Sequence, residues 1–146
     1  MIKRFTLVFT VLACCVTLTA KAQTPTTAPA KVHHVLFAVT SSDEADWGLT
    51  LGNMRNLIAD LQPDTVEIEV VAYGPGLKMV LKTSADAAAI QALQSPHVRF
   101  VACQNAMRHQ NVTEADLLPG VGQVPAGIGE VVRKQEQGWV YIKGGR

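Results

Sequence analysis

Four short runs rich in β-branched and aromatic residues alternate with stretches of helical periodicity, and this alternation constrains the fold more than any other feature of the sequence. The runs are 33-HHVLFAVT-40, 65-TVEIEVVAYG-74, 98-VRFVAC-103 and 139-WVYIK-143, with a weaker one near 120-GVGQVP-125. Between them, 46-DWGLTLGNMRNLIADL-61 places Trp47, Leu49, Leu51, Met54, Leu57, Ile58 and Leu61 mostly at steps of three and four, the period of a helix with one buried side. Ser84 stands as a cap for 84-SADAAAIQALQS-95, with Pro96 at its end, and residues 127 to 137 read as a last helix stopped by Gly138. Strands joined through helices of roughly ten residues pair in parallel, with helices on both faces. The expected fold is α/β, a three-layer sandwich around a mainly parallel sheet of about five strands, and 35-VLFAV-39 and 98-VRFVA-102 suit strands covered on both sides.

The first residues belong to a different category. A basic pair, Lys3 and Arg4, precedes an apolar run from Phe5 to about Leu18 and then Ala20-Lys21-Ala22, the order of a secretory signal peptide cut before Gln23. A rival reading takes 11-VLACC-15 as a lipoprotein signal, but it shortens the apolar core to Phe5–Ala13 and puts Leu12 where a smaller residue is usual. Nothing later approaches roughly 18 consecutive apolar residues, so no membrane attachment is expected after cleavage. The domain plan is a signal peptide over 1–22, a Thr/Pro/Ala lead-in over 23–31 and one domain over 32–146, exported to the periplasm. Removing the leader takes away three of 13 basic residues and none of the 12 acidic ones, which turns the formal charge from +1 to −2. A weakly acidic domain without a basic stripe excludes nucleic acid as a partner.

Cleavage also removes Cys14 and Cys15 and leaves Cys103 alone, where an apolar strand gives way to helix-compatible sequence. One cysteine makes no internal disulfide, which leaves inert burial, pairing between molecules, or chemistry. Free cysteine is among the most buried residue types, and Cys103 as a small core hydrophobe stays open on these grounds. For chemistry the thiolate is the working form, and an unperturbed thiol is only a few per cent ionised at pH 7. A helix starting near Asn105 supplies about 0.3 to 1 kcal/mol toward the charged form through its dipole, and Arg108 or Arg99 would add to it within reach of the sulfur.

Other features carry less. Tyr73-Gly74-Pro75-Gly76 ends the second strand where backbone N–H groups can hold an anion, yet Met79 breaks a dinucleotide fingerprint there, and Pro125 breaks it in the loop from Gly120. His33 and His34 are neighbours in a strand and point to opposite faces, and no second cysteine accompanies His109, so no metal and no cofactor are expected. Asp43, Glu44 and Asp46 complement a helix start, with Asp46 as the cap. Glu67 and Glu69 alternate with apolar residues, which makes one face of that strand wet near its start or covered by a neighbouring subunit.

The segment 98-VRFVACQNAMRHQNVTEADLLPG-120, with 67-EIEVVAYGPGLKMVL-81 before it and 121-VGQVPAGIGEVVRKQEQGWVYIK-143 after it, resembles the DsrE/DsrF-like family of sulfur-relay proteins, in particular its exported single-domain members. The likeness runs from about Val32 to Lys143 and is most specific at the strand-end cysteine, the short basic helix and 112-VTEADLLPG-120. It departs from the intracellular relay members in carrying Arg108-His109-Gln110 in place of paired basic residues and glycine. The resemblance implies a flavodoxin-like sandwich, a homo-oligomer (trimer or hexamer), and a Cys103 that holds sulfur as a persulfide. On this reading the protein is a sulfur carrier more than a multiple-turnover enzyme. Arg108 favours the thiolate, the backbone around Gln104 and Asn105 receives negative charge, and the partner is a sulfur donor or acceptor protein or a small sulfur compound. The alternative is a non-catalytic module binding a small anionic or nucleotide-like ligand through Gly74, Gly76 and Gly122.

Overall fold

The computed structural model describes residues 30–146; the export signal, its lipoprotein alternative and the lead-in as far as residue 29 lie outside the described residues. Five strands, β1 (Val32–Val39), β2 (Thr65–Ala72), β3 (Val98–Cys103), β4 (Gly122–Val124) and β5 (Val140–Lys143), form one sheet in the order β4-β3-β2-β1-β5. Every neighbouring pair is parallel, so the expected mainly parallel sheet is parallel throughout. The connecting helices are α1 (Glu44–Asp60), α2 (Ala87–Leu93), α3 (Gln104–His109) and α4 (Gly127–Glu136), with 3-10 turns over Gly74–Val80 and Glu114–Asp116. No helix among the described residues is long and apolar enough to cross a membrane.

Side chains alternate across a strand, and the two faces of this sheet are covered unequally. Phe37, Val70 and Phe100 point to a thick layer in which Trp47, Leu51 and Met54 of α1 join Leu77, Met79, Ile90 and Met107. Leu36, Val71 and Val101 point the other way and meet only Tyr73, Val124, Val131 and Trp139. The helix on that thin face is α4, which lies against β1, β2 and β5.

The match between α4 and the sheet follows from three periodicities. β2 presents Glu69 and Val71 to the thin face, with Tyr73 just beyond its end, and β3 carries Arg99, Val101 and Cys103 in the same alternation, with Glu69 opposite Arg99 and Val71 opposite Val101. α4 answers with Gly127, Val131 and Lys134, spaced as one side of a helix. Seven helical residues rise about 10 Å, close to the roughly 13 Å covered by four strand residues, so all three levels engage together. Gly127 meets the Tyr73 and Cys103 level, Val131 joins Leu36, Val71 and Val101, and the Lys134 ammonium lies 3.2 Å from Glu69.

Glu69 is 2% exposed and Lys134 is 8% exposed. One carboxylate oxygen, Oε2, takes both Lys134 and the Arg99 guanidinium, while Oε1 is buried with no hydrogen-bond partner among the described residues. Lys134 also sits 4.0 Å above the Trp139 ring. The expectation divides along the strand: near its start Glu67 is half exposed, whereas at Glu69 the cover is the chain's own α4 and not a neighbouring subunit.

Two caps differ from expectation. Asp43, not Asp46, caps α1 by accepting the Ala45 N–H at 2.9 Å. Asp46 instead accepts from the Arg146 backbone and guanidinium at 3.1 and 3.0 Å. Ser84 shapes the turn before α2, accepting the Asp86 N–H, and the helix starts only at Ala87.

Lys134→Met leaves the buried Glu69 carboxylate with Arg99 as its one cationic partner, so it should cost about 1 to 3 kcal/mol in urea unfolding, and Glu69→Leu combined with it should recover most of the loss. A second expectation concerns acid. Hydrogen bonding to Ser41 and then to Arg146 holds the Asp46 carboxyl down to about 2, against an ordinary 3.8. A depressed carboxylate stabilises the fold above its unfolded pKa and loses that contribution as pH falls through the folded one. The stability gap between wild type and Arg146→Ala should therefore close as pH drops from about 4 to about 2.

Candidate functional site

Cys103 is the last residue of β3 and the residue before α3, and it is 5% exposed. Strand alternation sets Cys103 after Arg99 and Val101, and although it also packs with the thick-layer core, the Gly127 N–H at the N-terminus of α4 donates to its Sγ at 3.1 Å. This is one of the four N–H groups that a helix start leaves unpaired, and it carries the positive end of the helix dipole. Gly127 is required by the approach: a Cβ there would lie 2.5 Å from the Cβ of Tyr73.

Above the sulfur opens a crevice of about 600 Å³, bordered by Tyr73, Lys78, His109, Ala126 and Ile128 among others, with walls mostly of carbon. Gly74 adopts φ +52 where the chain leaves β2, and its carbonyl accepts from the Gln110 side chain at 2.8 Å, which ties the end of α3 to the opposite wall. Burial, then the neighbouring Tyr141 and Cys103, raises the pKa of Tyr73, which keeps its phenol protonated at neutral pH. Lys78 has no ion-pair partner among the described residues.

The site residues expected from sequence separate in space. Gly74 and Asn105 border the crevice beside Cys103. Gly76 does not; it packs under β1, where a Cβ would fall 2.3 Å from the Val39 carbonyl oxygen. Gln104 turns toward β4, its side chain 3.3 Å from that of Gln123. Gly122 borders a separate hollow of about 300 Å³ with Glu69, Arg99 and Glu130. Arg108 is exposed, donates to the Asn105 side chain and is absent from the crevice lining. Arg99 is engaged by Glu69. Tyr73 and Gly127 belong to the two glycine loops flanking the crevice, whereas Lys78 and Ile128 join the site without a sequence motif to mark them.

Elsewhere the surface offers less chemistry. A groove of about 710 Å³ between α1 and β5 carries one carboxylate, Asp60, and no nucleophile. His33 pairs with Asp64 at 3.0 Å and His34 with Glu67 at 3.1 Å, and the described residues contain no group of three metal-ligating side chains.

The fold is a parallel α/β sandwich in which the one cysteine of the described residues ends a strand under a helix N-terminus. The model of the DsrE/DsrF-like family matches residues 33–143, and the chain belongs to that family, which places it at family level among proteins of sulfur relay. Among solved structures it is similar to MTH1491, a protein of unknown function from Methanobacterium thermoautotrophicum, at 40% identity and a TM-score of 0.72 over 76% of this chain and 98% of that one. No curated protein matches.

Gly76→Ala should destabilise the domain by about 1 to 3 kcal/mol through overpacking, while Cys103 in the folded state should alkylate at the wild-type rate. A changed rate would mean that Gly76 takes part in the crevice.

Proposed function

We propose that this is an exported sulfur-handling protein in which Cys103 accepts sulfane sulfur, holds it as a persulfide and passes it to another thiol. The observation that carries the reading is the Gly127 N–H set on Sγ at the base of an open crevice, a fixed donor for negative charge on that sulfur. In the loading step the Cys103 thiolate attacks the outer sulfur of a persulfide or polysulfide. A new S–S bond forms, the donor's S–S bond breaks, and the donor leaves as a thiolate with the bonding electrons. Unloading is the same exchange with an acceptor thiolate as nucleophile, and it restores Cys103 without any oxidant. A symmetric exchange of this kind suits a carrier more than a multiple-turnover enzyme.

The reading includes cleavage before Gln23 and work in the periplasm by a domain spanning 32–146. Its partner is a sulfur donor or acceptor protein or a small sulfur compound. Assembly as a trimer or hexamer belongs to it as well, supported by the exposed apolar side chain of Val132 on α4, which is 50% exposed. Arg108 acts on this reading through Asn105, whose side chain it holds at the crevice edge.

Intact mass of the purified protein after polysulfide treatment is the direct test. One or more sulfur atoms should add to wild type, leave on reduction, and be absent from a folded Cys103→Ser variant. Equal loading of that variant would remove Cys103 from the chemistry, and ligand binding that persists in it would favour the anion-binding alternative.

A further inference from the structure

We infer that the sulfur donor at Cys103 is a low-molecular-weight organic persulfide, R–S–SH, whose R group is an apolar body bearing an anionic group; this rests on the sulfur-carrier reading above. Four observations lead there. The crevice holds about 600 Å³, well within the range that encloses small organic ligands and far more than a few sulfur atoms require. Its walls, built from Tyr73, Pro75, Ala106, Ala126 and Ile128, are mostly carbon. A small inorganic polysulfide or thiosulfate dianion would shed its water against them with little in return, whereas an apolar body gains from the same contact. Lys78, exposed and without an ion-pair partner among the described residues, borders the crevice and offers the charge that a carboxylate on such a body would meet. The fourth observation is burial. At 5% exposure Cys103 offers little of itself to a partner lying flush with the surface, and the crevice is the opening beside it.

The step balances without a further reagent. The Cys103 thiolate attacks the outer sulfur of R–S–SH, the inner S–S bond breaks, and the products are Cys103–S–SH and the thiolate R–S⁻, which takes its proton from water. Sulfane sulfur is transferred, and nothing is oxidised or reduced overall.

The test compares benzyl hydropersulfide, its 4-carboxy derivative and inorganic tetrasulfide at equal sulfane concentration, following the single-sulfur adduct on Cys103 by intact mass. Each rate is divided by the same donor's rate with glutathione to remove intrinsic reactivity. Both organic donors should then load at least about tenfold faster than tetrasulfide, with the carboxylated one fastest, and Lys78→Gln should bring that donor down to the rate of its uncharged parent. Tetrasulfide loading as fast as the organic donors would overturn the inference and leave the carrier reading standing. A mixed disulfide that keeps the whole organic body would overturn it too, because attack would then fall on the inner sulfur. No loading by any donor, on a thiol that still alkylates, would overturn the carrier reading itself.

Discussion

The placement of the site depends on a buried charge. Glu69 sits on the thinly covered face of the sheet, where an uncompensated carboxylate would be costly, and Lys134 is the partner that α4 brings to it. The apolar contacts on this face are few, namely Leu36, Val71 and Val101 with Val131 and Trp139. Hydrophobic packing alone is tolerant of sliding, whereas an ammonium 3.2 Å from a carboxylate and 4.0 Å from the Trp139 ring is not. The ion pair therefore fixes the axial position of α4, and two turns away that position sets the Gly127 N–H on the sulfur of Cys103. Glycine against Tyr73 closes the other end, since any Cβ there would push the helix off the sheet.

Much of this is legible in the residues. The strand runs and helical periods point to a parallel α/β sandwich with Cys103 on the edge where strands finish, because apolar patterning at periods of 2 and 3.6 reflects burial directly. What escapes a reading of the sequence is long-range pairing. Glu69 looks like a solvated residue because its neutralising partner, Lys134, lies 65 positions away and nothing local announces it. Arg108 draws attention by being one turn from the cysteine, but α3 carries it on an exposed side, where it bonds to Asn105. The donor that does reach the sulfur belongs to a helix 24 residues further on. The caps go astray for a related reason: Asp43 and Asp46 are equivalent by composition, and only the approach of Arg146 assigns one to the helix and the other to the tail.

The position of the crevice also departs from the usual habit of open α/β sheets, which bind ligands where the strand order reverses. Here that reversal lies between β1 and β5. Residues 144–146 occupy it: the Gly144 N–H donates to the Ala38 carbonyl at 2.8 Å, and Arg146 reaches Asp43 and Asp46 on the first turn of α1. Gly144 has no room for a Cβ, which would stand 2.7 Å from Val39. With that gap filled by the chain, the accessible opening on this edge lies instead beside the ends of β2 and β3, where Tyr73 and Cys103 stand.

The group that meets the sulfur is a main-chain N–H, and this has a consequence for how the protein can vary. No exchange of side chains deletes it, short of proline at position 127, so the outer residues of α4 beyond Ile128, which borders the crevice, are free to drift without touching the thiol's immediate surroundings. Sensitivity is displaced to the supports, Glu69, Tyr73, Gly127 and Lys134, of which Tyr73 and Gly127 also border the crevice while Glu69 and Lys134 act only in seating the helix. A mutational scan would thus find its most damaging positions spread along 66 residues of chain, from Glu69 to Lys134, and forming one continuous strip down the face of the molecule.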